Sequence, residues 1–462
     1  MIEKIMKAVK RGNKRRSRNI TIGAVIGFLL SCTAVAGADK YLYIKDDNGI
    51  QFSTDGSDFG YANPYKDAGN IWDTGTNTYV NNIALSGTNN GGSGAVYGVK
   101  LEVNSKEIKF INNGAISAES ASSIAYGIDN VADSKISLIN TGTISASSGG
   151  NMTSSNGINN SGTIEKLDNS GIVGTNADTL SYGINNSGTI EKLDNNGIVY
   201  GISTASLSVS SGIHNNGGKI ESLDNSGMLF TDSSTFASSG SSTFASSGIY
   251  NESGTIGIIN NFGISTGLAS AKNLYGIWNG KNGIIEIINN SGIFIGRGTK
   301  GYGIWNDGGT IGEQANPEKG INNMGVIYGQ KHAINRESGT INNLNNYGIL
   351  VNGSSDAVIN GQVINNKNHG LIIQNGGEGT ITVGNGGNEN ILFYDKDGKE
   401  VKRKMTIENK NDATGADSFK GNQTNKILNA LKDTYKVTGS NDKVAGSIIN
   451  AYGTAVVFGD AG

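Results

Sequence analysis

Residues 157–173 read GINNSGTIEKLDNSGIV and residues 183–199 read GINNSGTIEKLDNNGIV: seventeen residues written twice, 26 positions apart, with only Ser170 changed, to Asn196. The opening Gly-Ile-x-Asn recurs along the chain at Gly98 (weakly, as GVKL), Gly127, Gly157, Gly183, Gly212, Gly248, Gly276, Gly303 and, as AINR, at Ala333. The spacings are 29, 30, 26, 29, 36, 28, 27 and 30 residues. A period this nearly constant is the signature of stacked structural units. The long spacing has a local cause, because SSTFASSG occupies 233–240 and again 241–248, and removing one copy leaves 28. Extra length at one place marks a loop that the stack tolerates.

Within a unit the order is GI-x-N, then SGTI-x-x-L-x-N, then SGI followed by Val, Ile, Leu or Phe. These are short alternating apolar runs, too short for helices, separated by Asn, Ser and Gly, which supply tight corners. About three strands per unit with almost no proline predict an all-β fold, a right-handed parallel β-helix. In such a fold each coil hydrogen-bonds to the next at about 4.8 Å and like residues stack on like. The array over 98–376 predicts about ten coils and a rod on the order of 50 Å. The Asn closing each GI-x-N, namely Asn130, Asn160, Asn186, Asn215, Asn251, Asn279 and Asn306, is expected to form a ladder in which each amide bonds the next.

The flanks differ from the array. Residues 39–97 are aromatic-rich and lack the repeat, as expected of an N-terminal cap over the first exposed strand edge. Residues 377–462 read as an irregular continuation, with a hairpin around Lys396-Asp397-Gly398 and a short amphipathic helix at 425–437. Residues 1–38 read as a secretory leader: a long basic n-region, an apolar run and a small-residue cleavage site at Ala36-Gly37-Ala38 before Asp39. A membrane anchor and a lipoprotein acylated at Cys32 are the alternatives. Residues 1–38 hold eight of the 37 basic and one of the 39 acidic residues, so the remainder carries 29 against 38, a net charge of −9. Nucleic acid is thereby a poor partner, since phosphate binding needs clustered positive charge. Cys32 is the single cysteine, so a chain cut before Asp39 has none and draws no stability from disulfides.

A long basic leader, a cysteine-free Gly/Asn-rich repeat and a β-helix pattern together resemble the passenger region of autotransporter (type V secreted) proteins of Gram-negative bacteria. The resemblance implies a secreted or cell-surface location and an adhesive or host-contact role toward a glycan or protein. Such passengers are followed by an outer-membrane β-barrel; no barrel pattern follows the repeat, so anchoring would rest on a barrel absent from this chain, and a truncated chain is one reading.

The variable position of GI-x-N reads Asp129, Asn159, Asn185, His214, Tyr250, Trp278, Trp305 and, in AINR, Asn335. With Ile inward this residue points outward, so Tyr250, Trp278 and Trp305 form an aromatic ladder on three consecutive coils, suited to a sugar or an apolar partner surface. The alternatives are a covering loop or an inverted orientation. Glu165 with Asp168, Glu191 with Asp194, and Glu221 with Asp224 make an acidic ladder, read as solvated turns in preference to a Ca²⁺ site because no complete oxygen-ligand loop is present. His214, His332 and His369 are isolated and no nucleophile motif occurs, so no catalytic residue, metal or cofactor is assigned. The reading is a binding solenoid; a polysaccharide-active β-helix enzyme and a structural stalk are the alternatives.

Overall fold

The computed structural model describes residues 41–374 apart from 90–93, 151–152, 205–207, 234–245, 268–272, 355 and 369. Beyond these it describes the backbone of strands at 379–382, 391–394, 400–403, 406–409 and 447–450. The leader with Cys32, most of the tandem SSTFASSG loop, His369 and the 425–437 segment lie outside the described residues. The chain divides into Met1–Ala38 and Asp39–Gly462.

Within Asp39–Gly462 the described residues form a parallel β-solenoid of about nine turns, all-β, with no helix among them. Most coils are three strands, while His332–Asn346 runs through the first two positions of its coil as one. In the duplicated stretch the three are Ser154–Asn160, Thr163–Asn169 and Ile172–Ala177, followed one coil on by Leu180–Asn186, Thr189–Asn195 and Ile198–Ser203. Every strand pairs in parallel with its counterpart, so Ile158 meets Ile184, Leu167 meets Leu193 and Val173 meets Val199. These residues, with Ile164 and Ile190, are wholly buried in one continuous interior cluster running from Leu42 to Ile372. Like stacks on like because a coil can hydrogen-bond its neighbour only in register.

The second strand departs from simple alternation. Ile164 and Leu167 both face inward although three residues apart, so Glu165 and Lys166 are accommodated on the outside, a bulge that turns the strand around the interior.

Two asparagine ladders close the corners. The expected one runs from Asn130 to Asn306, each Nδ2 donating to the Oδ1 one coil on at 2.7–2.9 Å. The second is longer and closes the second strand: Asn81, Asn112, Asn140, Asn169, Asn195, Asn225, Asn261, Asn290, Asn323, Asn346 and Asn368 are linked in the same sense. Most of these amides also donate to the carbonyl of a glycine two to four residues on in the same corner, as Asn160 does to Gly162 at 3.2 Å and Asn140 to Gly142 at 3.3 Å. The corner glycine is required: a Cβ on Gly171 would lie 2.0 Å from the carbonyl oxygen of Gly142 in the coil below.

The ends follow from the need to cover strand edges. Leu42–Asp46 lies in parallel on Val96–Glu102 and pairs antiparallel with Ile50–Ser53, while Phe52, Tyr79 and Phe110 stack through the interior at 5.8 and 5.6 Å. Parallel stacking already includes Thr78–Asn81 and Ala84–Asn89, inside the segment whose composition reads as a cap. Toward the C-terminus Ile391–Tyr394 pairs antiparallel with Glu400–Arg403, the arms of the expected hairpin, whose turn at 395–399 lies outside the described residues.

Asn195 receives the amide of Asn169 and donates to Asn225, wholly buried. Asn195→Ala leaves buried amide groups unpaired on both sides and is expected to cost about 2–4 kcal/mol in denaturant unfolding. Ser170→Asn, at an exposed corner, is expected to change stability by less than about 0.5 kcal/mol. An Asn195→Ala chain as stable as the parent would show the ladder to be energetically idle.

Candidate binding surface

The first strands Ser246–Asn251, Leu274–Asn279 and Tyr302–Ile311 bring Tyr250, Trp278 and Trp305 into register. Ile249, Ile277 and Ile304 just before them fill the interior, so the three rings project to the opposite, outer side. They do not stand apart. Tyr250 and Trp278 stack with centroids 4.0 Å apart and planes 10° apart, and Trp278 and Trp305 at 5.0 Å and 17°. The stack continues in the other direction through His214, 4.8 Å from Tyr250, to Tyr182, 4.2 Å further.

A second column, which the sequence reading missed, flanks the first. Tyr275, Tyr302 and His332 precede the Gly or Ala of the repeat and stack at 5.4 Å each. Tyr275 also reaches Trp305 at 4.5 Å. Residues three apart converge because the chain bends at the intervening glycine; a Cβ on Gly276 would sit 2.5 Å from the carbonyl oxygen of Gly303. The recurring Tyr-Gly-Ile of 126–128, 182–184, 275–277 and 302–304 was the available signal. Tyr275 and Tyr302 are buried, and so, against the expectation of an open aromatic ladder, is Tyr250, covered by its stacking between His214 and Trp278, while Trp278 and Trp305 are half-buried. Ring faces are therefore largely occupied by one another, and the indoles turn their edges outward.

Carboxylates border this strip: Glu252 follows Ser246–Asn251, Asp307 lies within Tyr302–Ile311 and Glu337 within His332–Asn346. Glu252 accepts from or bonds to His214 Nε2 at 3.0 Å. Burial pushes the His214 imidazole below its ordinary pKa, opposed in part by Glu252, and the imidazole in turn holds the Glu252 carboxyl below the usual range. Asp307 is pushed up, first by burial and then by Glu337, against the pull of Lys281. The Trp278 indole N–H lies beside Asp307 without completing a hydrogen bond, and the Trp305 N–H is likewise buried and unpaired in the protein. Burial pushes the Tyr302 hydroxyl up to about 12. The strip thus combines aromatic edges with acceptors, a chemistry that suits a ligand carrying hydrogen-bond donors.

Elsewhere the same outward column is polar, Asn185 donating to Asn159 at 2.9 Å and Asn159 to Asp129 at 2.8 Å. The acidic residues read from the sequence as turns lie on strands instead, within Thr163–Asn169, Thr189–Asn195 and Lys219–Asn225. The bulge of TI-x-x-L, which keeps them within a strand, is invisible to period counting. Lysines interleave them: Lys166 bridges Asp168 at 3.2 Å and Asp194 at 3.9 Å, Lys192 bridges Asp194 at 2.9 Å and Asp224 at 3.8 Å, and Lys135 pairs with Glu165. Among the described residues no three His, Cys, Asp or Glu side chains converge. Comparison with protein-family models, curated proteins and solved structures finds no match to this chain.

His214 is favoured in its neutral form by the fold, so below the ordinary histidine pKa, about 6.5, the unfolded chain takes up a proton that the folded chain resists. Stability is expected to fall as pH drops from about 7.5 to 5.5. His214→Phe, which keeps a ring between Tyr182 and Tyr250, should reduce that fall, leaving the part due to His332, whose pKa burial also lowers. Urea midpoints at the two pH values measure it, and an undiminished fall in the variant would remove His214 as the source.

Proposed function

We propose that this chain is an extracellular solenoid of the autotransporter-passenger kind, exported by its leader and displayed or released at the cell surface. There it binds a host glycan or protein along the aromatic flank. The observation that carries the reading is the concentration of Tyr250, Trp278 and Trp305, with Tyr275 and Tyr302 beside them, on one outward flank of successive coils, where earlier coils carry Asn159 and Asn185 and a later one Asn335 in place of the first three. A coil needs no aromatic there, as Asn159 and Asn185 demonstrate. Two indoles, Trp278 and Trp305, kept partly open to solvent at positions where Asn suffices favour contact with a partner. Because the ring faces stack on one another, the ligand would lie along the strip and meet ring edges together with Glu252, Asp307 and Glu337.

Export predicts that the chain recovered from outside the expressing cell begins at Asp39 on N-terminal sequencing; a chain retained inside the cell with Met1 intact would overturn the leader reading. For binding, the triple variant Tyr250→Asn, Trp278→Asn, Trp305→Asn substitutes a residue that this column already uses, and far-UV circular dichroism confirms folding. Glycan-array and cell-surface binding by the parent chain is expected to fall at least about tenfold in the variant, a loss of about 1.4 kcal/mol or more. Equal binding by the two would move recognition off this flank, and no binding by the parent would favour a stalk that presents another domain.

A further inference from the structure

The aromatic flank holds its rings at two depths, and the residue three before each ring tracks the depth. His214 and Tyr250 follow Ser211 and Ser247 and are 3% and 7% exposed, whereas Trp278 and Trp305 follow Tyr275 and Tyr302 and are half-buried. The two serines and the two tyrosines belong to one column, which runs Tyr182, Ser211, Ser247, Tyr275, Tyr302 on successive coils. Where tyrosines adjoin in this flanking column their rings stack at 5.5 and 5.4 Å, as Tyr97 does with Tyr126 and Tyr275 with Tyr302. Over Tyr182 that place is taken by a ring from the outward column. The His214 imidazole lies 4.2 Å from Tyr182, so it leans across Ser211, and Tyr250 stacks on it at 4.8 Å and 15°. Tyr275 then fills the flanking place with its own ring, 6.0 Å from Trp278 and at 65° to it, and the stack emerges through Trp278 and Trp305. One line of stacked rings therefore crosses from the flanking column to the outward column where serine gives way to tyrosine. The hydroxyls of Ser211 and Ser247 are buried without a hydrogen-bond partner, so what serine contributes there is small volume.

We infer that, given recognition along this flank as proposed above, Tyr275 and Tyr302 are positioning residues that prop the indoles of Trp278 and Trp305 outward. Ser211 and Ser247 do the opposite and let His214 and Tyr250 sink. A closely packed surface has no room for two rings in one place, so a tyrosine in the flanking column displaces the ring three residues on. The tyrosines themselves offer a partner little, being 1% and 4% exposed. Tyrosine alone makes no display either: Tyr126 and Tyr182 precede Asp129 and Asn185, which bring no ring to prop. Both halves of the device coincide in Tyr-Gly-Ile-Trp-Asn, which occurs at 275–279 and 302–306 and nowhere else in the chain. The surface a partner meets is thereby narrowed to two indole edges one coil apart, with Tyr250 serving as the base on which Trp278 rests.

A Trp72→Phe background leaves Trp278 and Trp305 as the only indoles. In it, Tyr275→Ser with Tyr302→Ser is expected to draw both indoles inward, so that acrylamide quenching falls at least about twofold and emission shifts to the blue while the far-UV spectrum is kept. Tyr275→Phe with Tyr302→Phe keeps the rings and should leave quenching at the background level. Unchanged or increased quenching in the folded serine pair overturns the inference. The converse change opens no cavity and serves if the serine pair does not fold: with Tyr250→Trp as reporter, adding Ser247→Tyr should raise quenching, and no rise overturns the inference equally. Binding to the same glycan array and cell surface separates positioning from recognition. A loss of binding in the serine pair that parallels the loss of quenching supports both, whereas quenching that falls while binding holds keeps the positioning role and removes the indoles as the contact surface.

Discussion

A buried primary amide sets the terms for this fold. An asparagine at a coil corner has two donors and an acceptor to satisfy with no water at hand, and leaving one unpaired costs about 1–3 kcal/mol. The stacking distance of about 4.8 Å places the same amide of the next coil within reach. Each side chain therefore donates once along the axis and usually again to a carbonyl in its own corner, and the arrangement propagates. In the longer ladder the separation between bonded residues ranges from 22 to 36 while the donor–acceptor distance varies only from 2.6 to 2.8 Å. What is fixed is the corner; the chain between corners is free to change length.

That separation of roles explains the duplicated stretch. Ser170 and Asn196 occupy the exposed residue after the ladder asparagine, where the shared bond is made by the backbone N–H: each donates at 2.8 Å to the carbonyl of the ladder asparagine one coil below, and the Ser170 hydroxyl adds only a long 3.4 Å donation to the same oxygen. Any residue supplies that N–H except proline, so the one substitution in seventeen residues falls where identity is unconstrained. The neighbouring Gly171 and Gly197 have no such freedom, because a Cβ at either would lie about 2 Å from a backbone oxygen.

Much of this was legible because a solenoid is nearly one-dimensional: the period, three strands per coil, inward Ile and the Asn130–Asn306 ladder all follow from local pattern. The features that escaped depend on bends. Choosing GI-x-N as the anchor hid the longer ladder, whose first bonded members, Asn81 and Asn112, precede or accompany coils with no clear GI-x-N. The aromatic column of Tyr275, Tyr302 and His332 becomes a neighbour of Trp278 and Trp305 only through the turn at Gly276 and Gly303. Strict alternation would have sent Tyr275 inward with Ile277. Ile164 and Leu167 likewise share the interior across a bulge, which is why the intervening acidic residues belong to a strand.

With interior and corners committed to stacking, variation has only the outward columns left, and it is partitioned among them. Along the second strands, successive coils carry lysines interleaved with carboxylates and then asparagines, Asn260 donating to Asp224 and Asn289 to Asn260 at 2.6 and 2.8 Å. Those side chains spend their hydrogen bonds on their own neighbours and offer a solvated surface. Along the first strands the corresponding column changes from amides to rings between Asn185 and His214, and the rings continue through Trp305 before Asn335 restores an amide. Stacking satisfies ring faces as the ladders satisfy amides, but it leaves polar atoms over: the indole N–H groups of Trp278 and Trp305 and one imidazole nitrogen of His214 are buried without a partner. Other buried polar atoms among the described residues also lack a partner, Asn185 Oδ1 and Ser247 Oγ among them, but the indole N–H groups are brought in by the change from amides to rings. Leucine or phenylalanine at Trp278 and Trp305 would fill the stack and leave no such N–H over, so the indoles carry a polar cost that packing alone does not require.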